Sequence, residues 1–337
     1  MIILLTGAAG FIGFHAATRL LSEGHRVIGV DNLNDYYDVS LKQARLAVLK
    51  KHEGFEFHKV DISNHEALEQ AAGGKGVTHI LHLAAQAGVR YSLDNPRAYV
   101  QANVMGHLNI LEFARHSETV EHIAYASSSS IYGDREDGPF KEDDITRSPA
   151  SLYAATKLGG EMLAESYHRL YGIAQTGLRF FTVYGPWGRP DMAYFIFTDK
   201  IMKGEPIELF APDDMRRDFT YIDDIVEVLP KIIATPPKSG HEIYNLGNSK
   251  PNTLMQLVDA VEAAYGTEAE KIILGKQKGD VSNTFADVSA AQRDFGFNPK
   301  MDLGEGLKRF VEWYRVCLLY TSPSPRDRTR SRMPSSA

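Results

Sequence analysis

Residues 2–13 have the sequence IILLTGAAGFIG, and a helical pattern follows over residues 15–23. The apolar run predicts a buried strand, and Gly7, Gly10 and Gly13 predict a tight turn that opens a helix. Glycine lets the backbone approach a ligand closely, and the unpaired amide groups at a helix N-terminus favour an anion. The stretch therefore predicts a turn that binds the pyrophosphate of a dinucleotide.

The next predicted strand, residues 27–30, ends at Asp31. In dinucleotide-binding folds, an acidic residue roughly 20 positions after the glycine-rich turn accepts hydrogen bonds from the adenosine ribose. A 2′-phosphate would meet the like charge of Asp31, so the sequence favours NAD over NADP. The alternative is a glycine turn that serves packing alone, but it does not explain why strand, turn, helix and acid occur together.

Short apolar runs alternate with longer helical patterns over the first 180 residues. This alternation predicts an α/β fold with a Rossmann-type doubly wound parallel sheet, in which ligands bind beyond the carboxyl ends of the strands. Later segments are shorter and richer in Pro, Gly and aromatic residues, which predicts a smaller C-terminal α/β substrate lobe. The predicted boundaries are 1–180 plus about 221–247 for the NAD-binding domain, and 181–220 plus 248–316 for the substrate lobe.

The C-terminal segment 317–337 differs from the rest of the chain. It is rich in serine, proline and arginine and has almost no apolar residue after Tyr320, which predicts disorder. From about Cys317 onward it also resembles a translated sequencing adaptor, so we expect a non-native tail and exclude it from the fold prediction. The alternative is a natural basic tail that binds an acidic partner.

The composition excludes several classes of function. Hydrophobic residues make up 43% and charged residues 24% of the 337 residues, which predicts a globular chain. The net charge of −6 does not provide the excess of positive charge that is typical of nucleic-acid-binding proteins. No apolar run approaches the roughly 20 residues that a membrane span requires. Cys317 is the only cysteine, which argues against disulfide and zinc chemistry. We expect a cytoplasmic protein without a signal peptide, a metal, a nucleic-acid partner or a membrane anchor.

Tyr153 and Lys157 lie four residues apart, which places a phenol and an ammonium on the same face of a predicted helix. A nearby cation favours the phenolate and lowers the pKa of the phenol from about 10 toward neutrality. An isolated pair of this kind is also typical of a surface helix. However, the predicted strand 122–126 is followed by four serines, which offer a hydroxyl at the sheet edge where the cofactor turn lies. Together these residues predict a site for proton transfer.

Ser128, Tyr153 and Lys157 resemble the Ser-Tyr-Lys set of the extended short-chain dehydrogenase/reductase superfamily. Longer strings narrow the resemblance to the UDP-glucuronate 4-epimerase family. These strings are DNLNDYYD at 31–38, HLAAQAGVRY at 82–91, LRFFTVYGPWGRPD at 178–191 and MRRDFTYIDD at 215–224. The matches extend over about residues 1–316. One departure lies at residues 276–280, where the family usually has a proline before Gly279.

The resemblance implies NAD as the cofactor, a UDP-sugar as the substrate and a homodimer that pairs helices of the first domain. The positions that would contact NAD are Gly7, Gly10, Phe11, Ile12, Gly13, Asp31, Asn32, Asp61, Ile62, Leu83, Ala84, Ala85, Asn103, Tyr153 and Lys157. Arg189, Thr182 and the hydroxyls of Ser128, Ser129 and Ser130 would hold the sugar carboxylate. Arg217 and Asp280 would lie near the nucleotide.

The reaction implied is C4 epimerisation between UDP-glucuronate and UDP-galacturonate through a transient 4-keto intermediate, with the hydride stored on bound NAD. A UDP-glucuronate decarboxylase is expected to have Glu in place of Ser130, and a sugar 4,6-dehydratase Asp-Glu in place of Ser129 and Ser130. A 4-epimerase of an uncharged UDP-hexose is a further alternative, which Arg189 argues against unless it is a solvated loop cation. A different class, an inactive NAD-binding regulatory protein, is disfavoured by the intact catalytic set.

Overall fold

The computed structural model describes residues 1–135, 137–212, 215–275 and 283–321. The strands are β1 (Ile2–Thr6), β2 (Arg26–Asp31), β3 (Phe55–Lys59), β4 (His79–His82), β5 (His122–Ser128), β6 (Gln175–Phe180), β7 (Thr182–Tyr184), β8 (Ile207–Phe210), β9 (Arg216–Tyr221), β10 (His241–Leu246), β11 (Pro251–Thr253) and β12 (Lys271–Leu274). The helices are α1 (Phe11–Ser22), α2 (Val39–Leu49), α3 (His65–Ala72), α4 (Tyr91–Asp94), α5 (Pro96–Tyr99), α6 (Gly106–His116), α7 (Leu152–Tyr171), α8 (Ala193–Lys203), α9 (Ile222–Ile233), α10 (Leu254–Tyr265), α11 (Ser289–Phe295) and α12 (Leu303–Thr321). A π-helical turn, Val100–Met105, precedes α6, and a 3₁₀ turn, Ser129–Tyr132, follows β5.

Seven parallel strands form the central sheet in the order β10-β6-β5-β4-β1-β2-β3. The chain leaves β1 in one direction along the sheet to form β2 and β3, and then returns to place β4 on the other side of β1. In a doubly wound sheet, a crevice for ligands opens at this change of direction, outside the carboxyl ends of the strands. The predicted Rossmann-type fold is confirmed.

Strand β1 illustrates why the central sheet could be predicted from the sequence. Successive side chains of a strand point to opposite faces, and both faces of this sheet are covered by helices. Ile3 and Leu5 belong to the core that includes α1 and α9, whereas Leu4 belongs to the core that includes α3 and α6. All three side chains are fully buried. A strand covered on both faces requires a continuous apolar run, which is the pattern of residues 2–5.

The smaller lobe contains a three-stranded sheet, β11-β9-β7, and a parallel pair, β12-β8. Helix α10 packs against both α8 and α12 in this lobe. The segment 221–247 contains α9 and β10. Strand β10 pairs with β6 at the edge of the central sheet, and α9 packs against α1. This segment therefore packs with the central sheet, while the domain boundaries stay a prediction.

The last helix, α12, ends later than the sequence predicts. Residues 317–321 are helical, although disorder is predicted from residue 317. Leu318 and Leu319 have a high helix propensity, and the first proline of the tail comes only at Pro323. The rest of the predicted tail, 322–337, lies outside the described residues. In the part of the chain that the structure describes, no helix is long and apolar enough to cross a bilayer.

Candidate active site

A cavity of about 440 Å³ lies at the carboxyl edge of the central sheet. The ends of β1, β2, β4 and β5 contribute to it, together with α7 and part of the smaller lobe. The predicted site residues that line it are Gly7, Gly10, Phe11, Ile12, Gly13, Asp31, Asn32, Asp61, Ile62, Leu83, Ala84, Ala85, Ser128, Ser129, Ser130, Tyr153, Lys157, Thr182, Arg189 and Arg217. The fold thus brings most of the predicted set to one cavity.

The glycine-rich turn is too tight for side chains. Gly7 has a φ of +72°, and a Cβ there would lie 2.8 Å from the Ala84 nitrogen. A Cβ on Gly13 would lie 2.0 Å from the Gly7 carbonyl oxygen. Gly10 is the N-cap of α1 and offers the helix no side chain, so the first amide groups of α1 face a cavity that an anion can enter. The turn fits the pyrophosphate of NAD.

Gly13→Ala is expected to lower both the free energy of unfolding and the amount of NAD that copurifies. The new methyl group would force the turn open, and overpacking of this kind costs about 1–3 kcal/mol. Denaturant titration and the absorbance of NAD released on denaturation measure the two effects. Gly159→Ala on α7 is the control, because a Cβ there meets nothing within 4 Å. A Gly13→Ala protein with the stability and NAD content of the parent contradicts the assignment.

Asp31, the last residue of β2, also lines the cavity. Its Oδ1 accepts a hydrogen bond from Leu33 N at 2.8 Å, and its Oδ2 accepts one from Ala9 N at 3.2 Å. Burial raises the pKa of Asp31, whereas these amide groups and the charge of Lys42 lower it. An ionised carboxylate has about four acceptor positions, so this one can also accept from ribose hydroxyls. Asp31 therefore fits the adenosine end of NAD.

Tyr153 and Lys157 lie one turn apart at the start of α7, which begins after its N-cap Ser151. Lys157 Nζ donates a hydrogen bond to the carbonyl oxygen of Ala126 at 2.9 Å. Burial lowers the pKa of Lys157 to about 8. The ammonium is therefore fixed beside the end of β5 and loses its proton more readily than a lysine in water.

The Tyr153 phenol lies among groups that change its acidity in opposite directions. Burial raises the pKa of Tyr153 above its ordinary value, and the Ser128 hydroxyl and the positive charge of Arg189 oppose this only in part. The predicted decrease of this pKa toward neutrality is therefore not observed. Ser128 ends β5, and its Oγ donates a hydrogen bond to Ser130 Oγ at 3.1 Å. A sugar hydroxyl in this cavity would thus meet a phenol, a serine and a guanidinium together, which suits proton transfer.

Arg189 forms an ion pair with Asp191. Arg189 Nε donates to Asp191 Oδ1 at 3.0 Å, and Nη2 donates to Oδ2 at 2.5 Å. The Tyr36 hydroxyl also donates to Asp191 Oδ2, at 3.0 Å. The Arg189 side chain is only 24% exposed, so the alternative that it is a solvated loop cation is wrong. The pair uses the Nε–Nη2 edge, and neither of its two hydrogen bonds involves Nη1.

The loop before Arg189 is held by a buried arginine that sequence reasoning missed. Arg45 donates hydrogen bonds to the carbonyl oxygens of Trp187 at 2.5 Å and Gly188 at 3.1 Å. It also donates to the carbonyl oxygen of Ala9, in the glycine-rich turn, at 2.9 Å. Arg45 therefore ties the loop that presents Arg189 to the cofactor turn.

Two predicted residues, Asn103 and Asp280, differ from the rest of the set. Asn103 does not line the cavity, because its amide is used elsewhere: Oδ1 accepts from Gln86 N, and Nδ2 donates to Gln86 O and Thr156 Oγ1. It supports the segment after β4 that does line the cavity. Arg217 lines the cavity in the smaller lobe. Asp280 lies outside the described residues.

The cavity also contains residues that were not predicted individually. Tyr36 was part of the string 31–38 that carries the resemblance, yet its hydroxyl had no assigned role. Lys42 lines the cavity and donates to Asn34 O at 2.8 Å and to Asn34 Oδ1 at 2.7 Å. Among the described residues, no group of His, Cys, Asp and Glu side chains could hold a metal ion.

Comparison with known proteins places this site in a family. Residues 3–247 match the model of the NAD dependent epimerase/dehydratase family. The chain is 46% identical over 328 residues to the probable UDP-glucuronate 4-epimerase of Rhizobium meliloti (92% of this chain, 96% of the relative). It is 47% identical over 327 residues to UDP-glucuronate 4-epimerase 6 of Arabidopsis thaliana (93% of this chain, 71% of the relative).

A solved structure is similar over almost the whole fold. It is that of UDP-glucuronic acid 4-epimerase from Bacillus cereus, in complex with UDP-glucuronic acid and NAD. The TM-score is 0.88 at 32% sequence identity, and the match covers 94% of this chain and all of the solved one. Because the family model matches most of the chain, the chain belongs to the NAD dependent epimerase/dehydratase family.

Proposed function

We propose that this protein is a UDP-glucuronate 4-epimerase, which interconverts UDP-glucuronate and UDP-galacturonate. The observation that carries the proposal is that Tyr153 and Arg189 face one cavity, next to the cofactor turn. The phenol provides the group for proton transfer at a sugar hydroxyl, and the guanidinium provides the group for a sugar carboxylate. The relatives at 46–47% identity carry the same name.

The glycine-rich turn would hold the NAD pyrophosphate, and Asp31 would hold the adenosine ribose. When bound, NAD supplies a hydride acceptor that later returns the hydride, so the overall reaction involves no net oxidation. Lys157 lines the same cavity and can donate to a ribose hydroxyl from the Nζ hydrogens that Ala126 does not use.

Tyr153 would take the proton of the sugar 4-hydroxyl as C4 becomes a ketone, and return it when the ketone is reduced on its opposite face. The Lys157 ammonium would stabilise the phenolate between these two proton transfers. Ser128 would hold the 4-oxygen by a hydrogen bond, because its hydroxyl is next to the phenol. Inversion requires the sugar to turn within the cavity, so the residues around it must bind both orientations.

The substrate carboxylate creates a hazard, because a 4-ketone next to a carboxylated C5 is a β-keto acid that can lose carbon dioxide. Arg189 would grip the carboxylate, while the hydroxyls of Ser129, Ser130 and Thr182 would fix its orientation. A fixed orientation keeps the bond between C5 and the carboxylate carbon out of alignment with the π system of the 4-ketone, so carbon dioxide is not lost. No carboxyl side chain stands at position 129 or 130 to drive further proton transfers, which disfavours the decarboxylase and dehydratase alternatives.

Incubation of the purified protein with UDP-glucuronate, UDP-galacturonate, UDP-glucose and UDP-xylose in parallel tests the proposal. We expect the galacturonate epimer from UDP-glucuronate, the reverse conversion from UDP-galacturonate, and little turnover of the uncharged sugars. Turnover of UDP-glucose alone would favour the uncharged-hexose alternative. A protein that contains NAD but turns over none of the four substrates would favour the regulatory alternative.

We also propose that the protein works as a homodimer through α7 and the segment before α6. Met162 on α7 and Val100 and Met105 in the adjacent π-helical turn are exposed, and the two elements pack against each other. Exposed apolar side chains on neighbouring helices are typical of an interface. Met162→Glu should therefore give a monomer in light scattering, whereas Ile145→Glu, also at an exposed apolar residue, should leave the dimer intact. A Met162→Glu protein that stays dimeric excludes this surface.

A further inference from the structure

Helix α7 presents three side chains to the end of β5 at four-residue intervals. They are Tyr153, Lys157 and Glu161, which lie on one helix face because residues four apart are neighbours. Lys157 Nζ donates to the carbonyl oxygen of Ala126 at 2.9 Å. One residue further along β5, the Ser127 hydroxyl donates to Glu161 Oε1 at 2.5 Å. The Tyr-Lys pair is thus continued by a third residue that contacts the same strand.

Glu161 is held in a buried ion pair with Arg179 of β6. Arg179 Nε donates to Glu161 Oε1 at 3.0 Å, and Nη2 donates to Oε2 at 2.9 Å. The side chains are 1% and 4% exposed. The remaining Arg179 nitrogen donates to the Tyr132 hydroxyl and to Glu142 O. A buried ion pair adds little stability over apolar residues of similar size, so the pair calls for a further explanation.

The charges around Lys157 point to that explanation. Burial lowers the pKa of His82 and of His107, the latter to about 3, so both imidazoles are neutral. Burial raises the pKa of Tyr125, which keeps that phenol neutral as well. The titratable and charged groups that face this region are His82 of β4, His107 of α6, Tyr125 of β5, Arg179 of β6, and Tyr153 and Glu161 of α7. Among these described groups, Glu161 is the carboxylate.

We propose that Glu161, itself fixed by Arg179, is a positioning residue that acts on Lys157 from the next turn of α7 and keeps its amine protonated inside the protein. The inference rests on the proposed function, because it acts through the lysine to which that function assigns stabilisation of the Tyr153 phenolate. Burial lowers the pKa of Lys157 to about 8, and the negative charge of Glu161 is what opposes this decrease. Without that charge, the buried amine would lose its proton at a lower pH.

Two substitutions should change the titration of Lys157 in opposite directions. Glu161→Gln removes the negative charge and leaves the Arg179 cation unpaired, so Lys157 should lose its proton at a lower pH. Arg179→Gln leaves the Glu161 carboxylate unneutralised, so Lys157 should keep its proton to a higher pH. The shift is expected to be on the order of one pH unit in Glu161→Gln and smaller in Arg179→Gln, because the charge of Glu161 acts on Lys157 directly.

Carbon NMR of the NAD-bound protein, labelled with ¹³C at the lysine Cε, measures this titration directly. The Lys157 signal is identified by its absence from Lys157→Met. Glu305→Gln is the control, since Glu305 forms an exposed ion pair with Arg309, four residues along α12. It should leave the Lys157 titration unchanged. The alkaline limb of the pH–rate profile for epimerisation should move with the NMR titration in each variant.

Opposite shifts in Glu161→Gln and Arg179→Gln support the proposal, whereas shifts in the same direction, or none, overturn it. If the single variants do not fold, Glu161→Leu combined with Arg179→Met removes both charges at similar volume. That protein should titrate Lys157 at a lower pH than the parent, and an unchanged titration overturns the proposal. The NMR measurement requires no turnover. If the expected shifts occur in a protein that does not epimerise UDP-glucuronate, the proposed function is rejected and the effect of Glu161 on Lys157 still stands.

Discussion

Replacing Tyr153 with Phe is expected to lower the rate of epimerisation by about 10²- to 10⁴-fold, the usual contribution of general acid–base catalysis. The substitution removes only the hydroxyl, while the ring still fills its place beside Tyr99. The glycine-rich turn and Asp31 are untouched, so bound NAD should be retained. Steady-state conversion of UDP-glucuronate and the NAD content of the purified protein measure the two parts of this expectation.

Tyr167→Phe is the matched control for this substitution. Tyr167 lies on the same helix, and its hydroxyl donates to Glu112, away from the cavity. This variant should keep the activity of the parent, which would show that loss of a phenol from α7 is not harmful in itself. Near-normal epimerisation by Tyr153→Phe would remove Tyr153 from its assigned role. Loss of NAD together with activity would instead show that Tyr153 is needed to build the cofactor site.

The parts of the molecule that the sequence predicted are those determined by local patterns. The run before Gly7 is apolar because β1 is covered on both faces, and the glycines recur because a Cβ would not fit in the turn. Tyr153 and Lys157 were found together because four residues make about one helical turn. The sheet edge then brings Ser128 to the same cavity, since the carboxyl ends of parallel strands lie side by side.

The residues that the sequence did not predict depend on contacts between distant segments. Arg45 on α2 binds carbonyl oxygens of the loop 187–188, and no periodicity connects these positions. The role of Glu161 depends on β6, which supplies Arg179 as its partner. Its four-residue spacing after Lys157 was visible, but the same spacing is common on exposed helices. Only the packing of α7 on the sheet distinguishes the buried carboxylate from a solvated one.

Replacing Arg189 with Lys is expected to weaken binding of UDP-glucuronate by about 10- to 100-fold. Lysine keeps the charge but loses the planar fork that can bind Asp191 and a substrate carboxylate at the same time. A hydrogen bond to a charged group contributes about 1.5–3 kcal/mol, and 1.4 kcal/mol corresponds to a factor of ten. A loosely held carboxylate should also be lost more often from the 4-keto intermediate. Carbon dioxide released from carboxyl-labelled substrate should therefore rise relative to the epimer.

Binding of UDP-glucose distinguishes recognition of the carboxylate from damage to the loop. UDP-glucose has no carboxylate, so Arg189→Lys should leave its dissociation constant nearly unchanged in calorimetry. Arg293→Lys is the matched control, because Arg293 forms the same kind of two-bond pair with Asp294 at an exposed site. If Arg189→Lys weakens the binding of UDP-glucuronate and of UDP-glucose equally, Arg189 supports the loop and does not select the substrate. Selectivity for a charged sugar would then have to come from the hydroxyls of Ser129, Ser130 and Thr182, which alone cannot neutralise a carboxylate.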